Sequence, residues 1–229
     1  MLVFIAAEAR EFDGILRRAA RSYSLRCPIV FCRKVLWKDG EIVLMANGPG
    51  SELAGVAAGV ARESQPLGAI VSFGFCGALD PALGPGDVFV ASEVLGAGPA
   101  LLPRTSLTYK SGSLVSIDHV ATSAAEKAEL ATTGAAAVDM EAGVLAARAR
   151  EWNVPFYCIR AVTDTANETF KLDFNRMRNQ DGRFSRTRII AAAMRRPGVL
   201  VPELRKLDRR CRQASEALGE FVENCRFDI

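Results

Sequence analysis

The chain carries one histidine among 229 residues, and its six cysteines show no Cys-x-x-Cys spacing. A zinc site assembled from imidazole and thiolate is therefore not expected, and reduced, mostly buried thiols are. No charge-free apolar run approaches the ~20 residues that a membrane-spanning helix needs. The nearest, Ser64 to Leu79, is interrupted by Pro66 and three glycines. Met1 to Glu8 has no basic leader and too short an apolar run for a signal peptide. The glycine-rich turn Ala46-Asn47-Gly48-Pro49-Gly50-Ser51 lacks both a Walker lysine and a full Gly-x-Gly-x-x-Gly. It reads as a tight β–α turn with N–H groups available to an anion, not as a dinucleotide loop. These absences set the expectation of a soluble, cytoplasmic protein without cofactor or metal.

What is present favours a packed enzyme-sized core. Hydrophobic residues make up 49% of the chain, enough for one α/β domain of roughly 200–250 residues, and residues 1–229 are expected to form a single domain. Net charge is only +3, but it is unevenly spread. Between Arg183 and Arg212 ten Arg or Lys face only Glu203 and Asp208, a local balance of +8 that leaves −5 for the remainder. Such a stretch marks either an anionic partner or a solvated helical face. It contains no recognisable nucleic-acid motif and no interleaved aromatics, so a nucleic-acid partner is not expected.

Short β-branched runs alternate with helical patterns, which predicts a mixed, mostly parallel sheet covered on both faces, a three-layer α/β/α fold. Strands are expected at 2–7, 29–36, 41–46, 69–75, 87–95, 113–118, 135–138 and 156–162. Lys38-Asp39-Gly40 supplies a tight antiparallel turn. Helices are expected at 11–22, 52–63, 124–132, 140–152, 185–195 and 202–222, with Ser51 placed to cap the second and Ser123/Glu126 forming a capping box on the third. Lys171 to Gly182 is polar and turn-rich, a loop near the functional edge. In the last helix Leu204, Leu207, Cys211, Ala214, Leu218, Phe221 and Cys225 form one apolar stripe. It fits packing onto the body, with a dimer seam as the alternative.

The chemistry-bearing residues gather where strands end. Val138-Asp139-Met140-Glu141-Ala142 puts a carboxylate at a helix start, and 23 residues later Asp164 follows the strand-like run Phe156–Val162. Ligands of open α/β sheets bind at that carboxyl edge. Ser72-Phe73-Gly74-Phe75-Cys76-Gly77-Ala78-Leu79 is followed by Gly86-Asp87-Val88, a buried strand running into a glycine loop. Near the amino terminus Glu8-Ala9-Arg10-Glu11 opens a helix, where acidic residues are also stabilised by the helix dipole alone. Arg160, inside an apolar strand, should be paired with a carboxylate. His119 follows Asp118 at a strand end, equally a surface residue or part of a site. Asp164 has an alternative role as a helix N-cap.

The Met-Glu pair with a downstream Thr163-Asp164 resembles the purine nucleoside phosphorylase and nucleosidase superfamily, over roughly residues 1–170. The resemblance implies that Glu141 holds ribose hydroxyls, Met140 packs under the sugar and Asp164 protonates the purine. It also implies that Gly74, Phe75, Val120 and Thr163 line the substrate. In the hydrolytic branch a glutamate near the amino terminus holds and deprotonates the attacking water; Glu11 aligns best, with Glu8 as a rival. The family's loop is Gly-[Thr/Ser]-x-Gly-[Gly/Ala]-Leu. This chain departs from it with Phe75 at the hydroxyl position and has Ser72 where many phosphorylases carry a phosphate-gripping arginine. Those departures favour water over phosphate as nucleophile, with Arg10 the candidate phosphate ligand otherwise. Thr133 to Asp139 and the tail from Arg195 to Leu204 look like the branch associated with hopanoid biosynthesis, which releases adenine from adenosylhopane. Expected partners are thus a small-molecule nucleoside, a peripheral membrane contact through the basic stretch, and a second copy of the chain. A non-catalytic nucleoside-binding protein is the competing reading.

Overall fold

The computed structural model describes residues 1–38, 40–64 and 66–228; Asp39 of the expected Lys38-Asp39-Gly40 turn lies outside them. Ten strands form one mixed sheet: β1 (Leu2–Ala6), β2 (Arg21–Ser24), β3 (Phe31–Trp37), β4 (Gly40–Ala46), β5 (Ala69–Ala78), β6 (Val88–Val94), β7 (Gly98–Pro99), β8 (Lys110–Ser116), β9 (Ala137–Asp139) and β10 (Phe156–Asp164). The helices are α1 (Asp13–Arg18), α2 (Ser51–Ser64), α3 (Ala124–Ala131), α4 (Ala142–Glu151), α5 (Arg186–Arg195) and α6 (Pro197–Glu223).

β4, β1, β5 and β10 run parallel as consecutive neighbours. They are buried along nearly their whole length because helices cover both faces. Residues of α2 and α4 join the hydrophobic cluster on one face, and residues of α1 and α6 the cluster on the other. This is the expected three-layer arrangement. At one edge β3 and β2 add antiparallel strands. Beyond β10, β6 pairs antiparallel, β8 and β9 follow in parallel, and β9 returns to pair with Gly77 and Ala78 at the end of β5. β5, β10, β6, β8 and β9 therefore close a ring, which removes two sheet edges and draws the carboxyl ends of β5, β9 and β10 together. The sequence pattern does not reveal this closure, because it depends on β5 serving three neighbours.

Other boundaries moved for local reasons. The helix expected over 11–22 is a 3₁₀ turn, Ala9–Phe12, followed by α1 only as far as Arg18. Ala19 is already extended, and Arg21 to Ser24 pair with β3. Ser51 is the first residue of α2 and not its cap. Ser123 does cap α3, accepting the Glu126 N–H at 3.2 Å, while the Glu126 carboxylate takes the Thr122 N–H at 3.0 Å. α6 starts five residues before the expected Pro202, with Pro197 in its first turn, where a missing N–H costs nothing. The apolar stripe of α6 is spent on the body: Cys211, Ala214, Leu218, Phe221 and Cys225 are buried. Leu204 and Leu207, earlier in the stripe, are half-buried.

One helix crossing fixes the amino-terminal part of the site. A Cβ on Gly14 would lie 1.9 Å from the Ser215 carbonyl oxygen, and one on Gly219 would lie 2.3 Å from the Gly14 carbonyl carbon. Only glycine permits α1 and α6 to approach this closely. Ser215 Oγ then accepts the Gly14 N–H at 3.0 Å and donates to the Glu11 carbonyl at 3.2 Å. Among the described residues no helix is long and apolar enough to cross a membrane. All six cysteines are free, and five are buried.

Candidate active site

A cavity of about 440 Å³ opens at the carboxyl ends of β1, β5, β9 and β10, within the size range of small-molecule sites. Its inner end is polar, lined by Glu11, Glu141, Thr163 and Asp164. Its outer end is apolar, walled by Phe170, Phe174, Phe184, Ile189, Leu204 and Leu207.

Glu11 is 5% exposed and has no cation in contact. Its carboxylate accepts the Glu8 N–H at 2.8 Å and the Phe75 N–H at 3.0 Å. Burial pushes its pKa up to about 8 despite those two bonds, with the nearby Glu141 charge adding to the rise. Gly74 makes room for it: at φ +141° a side chain would be strained, and a Cβ would stand 2.6 Å from Glu11 Oε1. Gly74 thus seats the glutamate and does not line the cavity, a correction to its expected contact with substrate.

Glu141 occupies the N-cap position of α4 and accepts the Gly50 N–H at 2.7 Å. The glycine-rich turn therefore serves the site by holding a carboxylate from the protein itself. Burial, then the Asp139 charge, raise the Glu141 pKa to about 7, with Arg160 opposing.

Asp164 ends β10 buried, with Thr163 Oγ1 donating to Oδ1 at 2.9 Å. Its Oδ2 is ion-paired to Lys127 Nζ. Lys127, on α3, is fully buried, donates also to the Thr165 carbonyl at 2.8 Å, and lies 5.6 Å from the Phe170 ring centroid. Burial raises the Asp164 carboxyl above the usual carboxylate range, and Lys127 works against that rise. A 3₁₀ turn or loop, not a helix, follows Asp164, so the N-cap alternative fails.

Behind the cavity Asp139 accepts Arg160 Nε at 3.0 Å and the Ala142 N–H at 3.0 Å, and also takes Arg160 Nη2 and Ser116 Oγ. The expected carboxylate partner of Arg160 is therefore Asp139. Arg160 Nη2 also donates to Ser72 Oγ at 2.6 Å. Ser72 is fully buried beneath that guanidinium, which overturns its expected position on the phosphate side of the site. Arg10 lines the cavity but is paired with Asp208 at 3.0 Å. His119 also lines it, held by Asp118 at 2.6 Å and Glu126 at 2.5 Å; these two bonds, Asp118 first, raise its pKa.

Met140, Glu141, Phe75, Val120, Thr163, Asp164 and Glu11 thus meet at one cavity, with the exposed Glu8 at its rim. The loop expected near the functional edge is there: Arg178 bridges it to the Asp118 carbonyl at 2.9 Å and the Pro49 carbonyl at 3.3 Å. Sequence reasoning missed Lys127, although a lysine on the helix face of Ala124, Leu130 and Ala131, which is at least half-buried, was a usable signal. It also missed the aromatic wall, whose members come from three separate segments. Of the basic stretch, Lys206 and Arg210 pair with Glu168 on the body, while Arg183 and Arg212 pair locally with Asp181 and Asp208. On α5, by contrast, Ile190 is 61% and Met194 72% exposed between Arg186, Arg188, Arg195 and Arg196.

The phosphorylase superfamily model matches residues 99–192, which span Met140, Glu141 and Asp164. A 5′-methylthioadenosine/S-adenosylhomocysteine nucleosidase of Staphylococcus aureus (strain JH9) is 28% identical over 169 residues, 60% of this chain and 74% of that protein. The Helicobacter pylori enzyme of the same name, solved with a pyrrolidine inhibitor, superposes with a TM-score of 0.70 at 16% identity, covering 97% of this chain and 95% of that one. The futalosine hydrolase of Helicobacter pylori superposes with a TM-score of 0.71 at 15% identity, covering 97% and 95%.

Proposed function

We propose that this chain, which belongs to the nucleoside phosphorylase and nucleosidase superfamily, is an N-glycosyl hydrolase that releases the base, adenine, from a purine nucleoside with a 5′-substituent. The observation that carries the reading is three buried carboxylates, Glu11, Glu141 and Asp164, converging on the polar end of one cavity with their acidities weakened by burial. Groups perturbed in this way and set around a cleft are the usual signature of acid–base chemistry.

Cleaving an N-glycosidic bond builds positive charge on the ribose and negative charge on the departing base. In this reading Asp164 delivers a proton to the purine N7 as general acid. Glu141 accepts hydrogen bonds from the ribose hydroxyls, an interaction that strengthens as positive charge develops on the sugar, and Met140 packs beneath the ring. Val120, Phe75 and Thr163 complete the walls. Glu11, held by two backbone N–H groups, positions water on the opposite face and takes its proton; a pKa of about 8 suits a group that must accept one near neutrality. Glu8, the rival for this role, is exposed, whereas Glu11 is buried.

Water is favoured over phosphate by electrostatics. Arg10 is already committed to Asp208, and Glu8, Glu11 and Asp208 line the same side of the cavity. A phosphate dianion on that side would meet three carboxylates and a guanidinium already paired; Arg186, the lining arginine without an ion pair among the described residues, follows Phe184 on the apolar part of the cavity. The apolar outer wall supports a bulky hydrocarbon 5′-substituent, as in adenosylhopane. The exposed Ile190 and Met194 among arginines support a peripheral contact with an anionic membrane that holds such a substrate.

The deciding assay measures adenine release from several 5′-substituted adenosines, with and without phosphate. Release independent of phosphate, fastest with large apolar substituents, is expected. No release from any of them, or formation of ribose 1-phosphate faster than water attack, would overturn the hydrolase. The membrane contact is tested by vesicle sedimentation. Binding to anionic but not neutral vesicles, lost at high salt, is expected, and equal behaviour of the two vesicle types would remove it.

A further inference from the structure

We propose that Lys127 is the proton source for the leaving base and acts through Asp164, an inference that rests on the nucleosidase reading above. Lys127 has no exposed surface, and its only carboxylate partner among the described residues is Asp164, whose side chain is 10% exposed and lines the cavity. A proton on Lys127 Nζ can therefore reach a bound ligand only by way of that carboxyl. Thr163 Oγ1 holds the other carboxylate oxygen and the Thr165 carbonyl holds the ammonium, so the pair is fixed in line. Glu168 adds negative charge nearby, but Lys206 at 2.8 Å and Arg210 at 2.5 Å neutralise it from α6. Arg210 itself touches the strand end only through the Thr163 carbonyl at 3.3 Å.

A lysine buried against one carboxylate differs from a buried arginine in one respect: it can give up its proton. In a site shielded from water the ion pair and the neutral amine–acid pair carry the same net charge, so moving the proton along the bond avoids creating an isolated buried charge. The relay starts from the form of the site in which Lys127 carries the proton and Asp164 and Glu11 are both ionised, a form that Glu11, with its pKa raised to about 8, reaches as pH rises toward that value. As the C1′–N9 bond breaks, its electron pair passes into the purine. N7 takes a proton from Asp164, which takes one from Lys127 Nζ and leaves a neutral amine. Water adds to C1′, and its proton goes to Glu11. The base departs neutral, the net charge of the site is unchanged, and one proton has moved from Lys127 to Glu11. Water in the emptied cavity returns it.

Two variants separate proton supply from simple charge pairing. Lys127→Arg keeps a permanent positive charge that cannot be surrendered, and Lys127→Met keeps the length without charge. Adenine release is followed at the alkaline end of the activity range, where an unassisted carboxyl has lost its proton. Binding of a 7-deazaadenine nucleoside, which has no N7 to protonate, reports whether the site is still built. Both variants are expected to lose about 10²–10⁴ in kcat, the range for removing a general acid, while the Kd for the 7-deaza probe stays within roughly threefold of the parent's. If Lys127→Arg keeps kcat within about tenfold, charge alone suffices and proton supply is overturned. If both variants lose the probe, the lysine is structural and the proposal is likewise overturned. Should the arginine not fit, the pH profile of the methionine variant decides: a loss of kcat that deepens as pH rises, with the probe still bound, supports proton supply, and an equal loss at every pH overturns it. A parent protein that releases no adenine at all counts against the nucleosidase reading and not against the Lys127–Asp164 relay as such.

Discussion

Two ion pairs are buried among the described residues, and they are built differently. Asp139 and Arg160 are 0% and 1% exposed, and the aspartate is saturated by Arg160, Ser116 and the Ala142 N–H. Although burial works against its charge, the Asp139 carboxylate holds the Arg160 guanidinium above its ordinary value. Asp164 and Lys127 form the second pair, where the carboxylate keeps a face toward the cavity and one oxygen answers only to Thr163. The first pair ties β10 to β9, β8 and β5 through fixed charges, closing the ring that forms the site. The second joins groups that can both change protonation state. The fold locks with arginine and leaves the reacting end to lysine.

That contrast can be broken from either side. Asp164→Asn is expected to lower kcat by about 10²–10⁴ while substrate binding changes little, as for loss of a general acid. Its stability should fall only modestly, because Lys127 can shed its charge when its partner becomes neutral. Retained turnover would remove Asp164 from the acid role. Asp139→Ala should do the reverse. Arg160 cannot deprotonate, so an uncompensated buried charge remains, a cost of about 3–5 kcal/mol. For a chain of this size that corresponds to a fall in Tm of at least ~6 °C. A Tm within ~2 °C of the parent's would show that water or another group replaces Asp139 and that the pair is not structural.

The same contrast explains what the sequence disclosed. Glu141 and Asp164 were legible because a carboxylate at a helix start and another at a strand end are local patterns, and α/β topology places both at one edge. The Arg160 partner was foreseen in kind, since a guanidinium inside an apolar strand must be paired. Lys127 was not, because it meets Asp164 only once α3 has been brought to the carboxyl end of β10, a tertiary outcome. Gly74 was assigned to substrate, and Ser72 to the phosphate-side position of a missing arginine, from motif position alone. Alternation along β5 sends Ser72 under Arg160, and the positive φ of Gly74 turns its bare face to Glu11. The aromatic wall was invisible for a third reason: Phe170, Phe174, Phe184, Ile189 and Leu204 come from loop, α5 and α6 segments that share no period.

The smallest expected effect concerns Glu141, which neither pair neutralises. Its folded pKa of about 7 lies above the ordinary value of 4.5, so folding disfavours its ionised form. Below about pH 4.5 the carboxyl is protonated in both states and no penalty exists. Between about 4.5 and 7 the unfolded chain loses its proton first, so stability falls as pH rises, and above 7 the whole penalty is present. Glu141→Gln removes the charge facing Asp139 and Glu11, while its carbonyl can still accept the Gly50 N–H. The variant should therefore gain roughly 2–4 °C in Tm at pH 8, about 1 kcal/mol, with no gain at pH 4. Activity should drop at the same time, since a neutral amide binds the ribose hydroxyls less strongly as the sugar becomes cationic. Thermal unfolding at the two pH values checks the sign. Equal shifts at both would mean that packing, not charge, sets the cost of Glu141, and its burial would then be no measure of strain stored for catalysis.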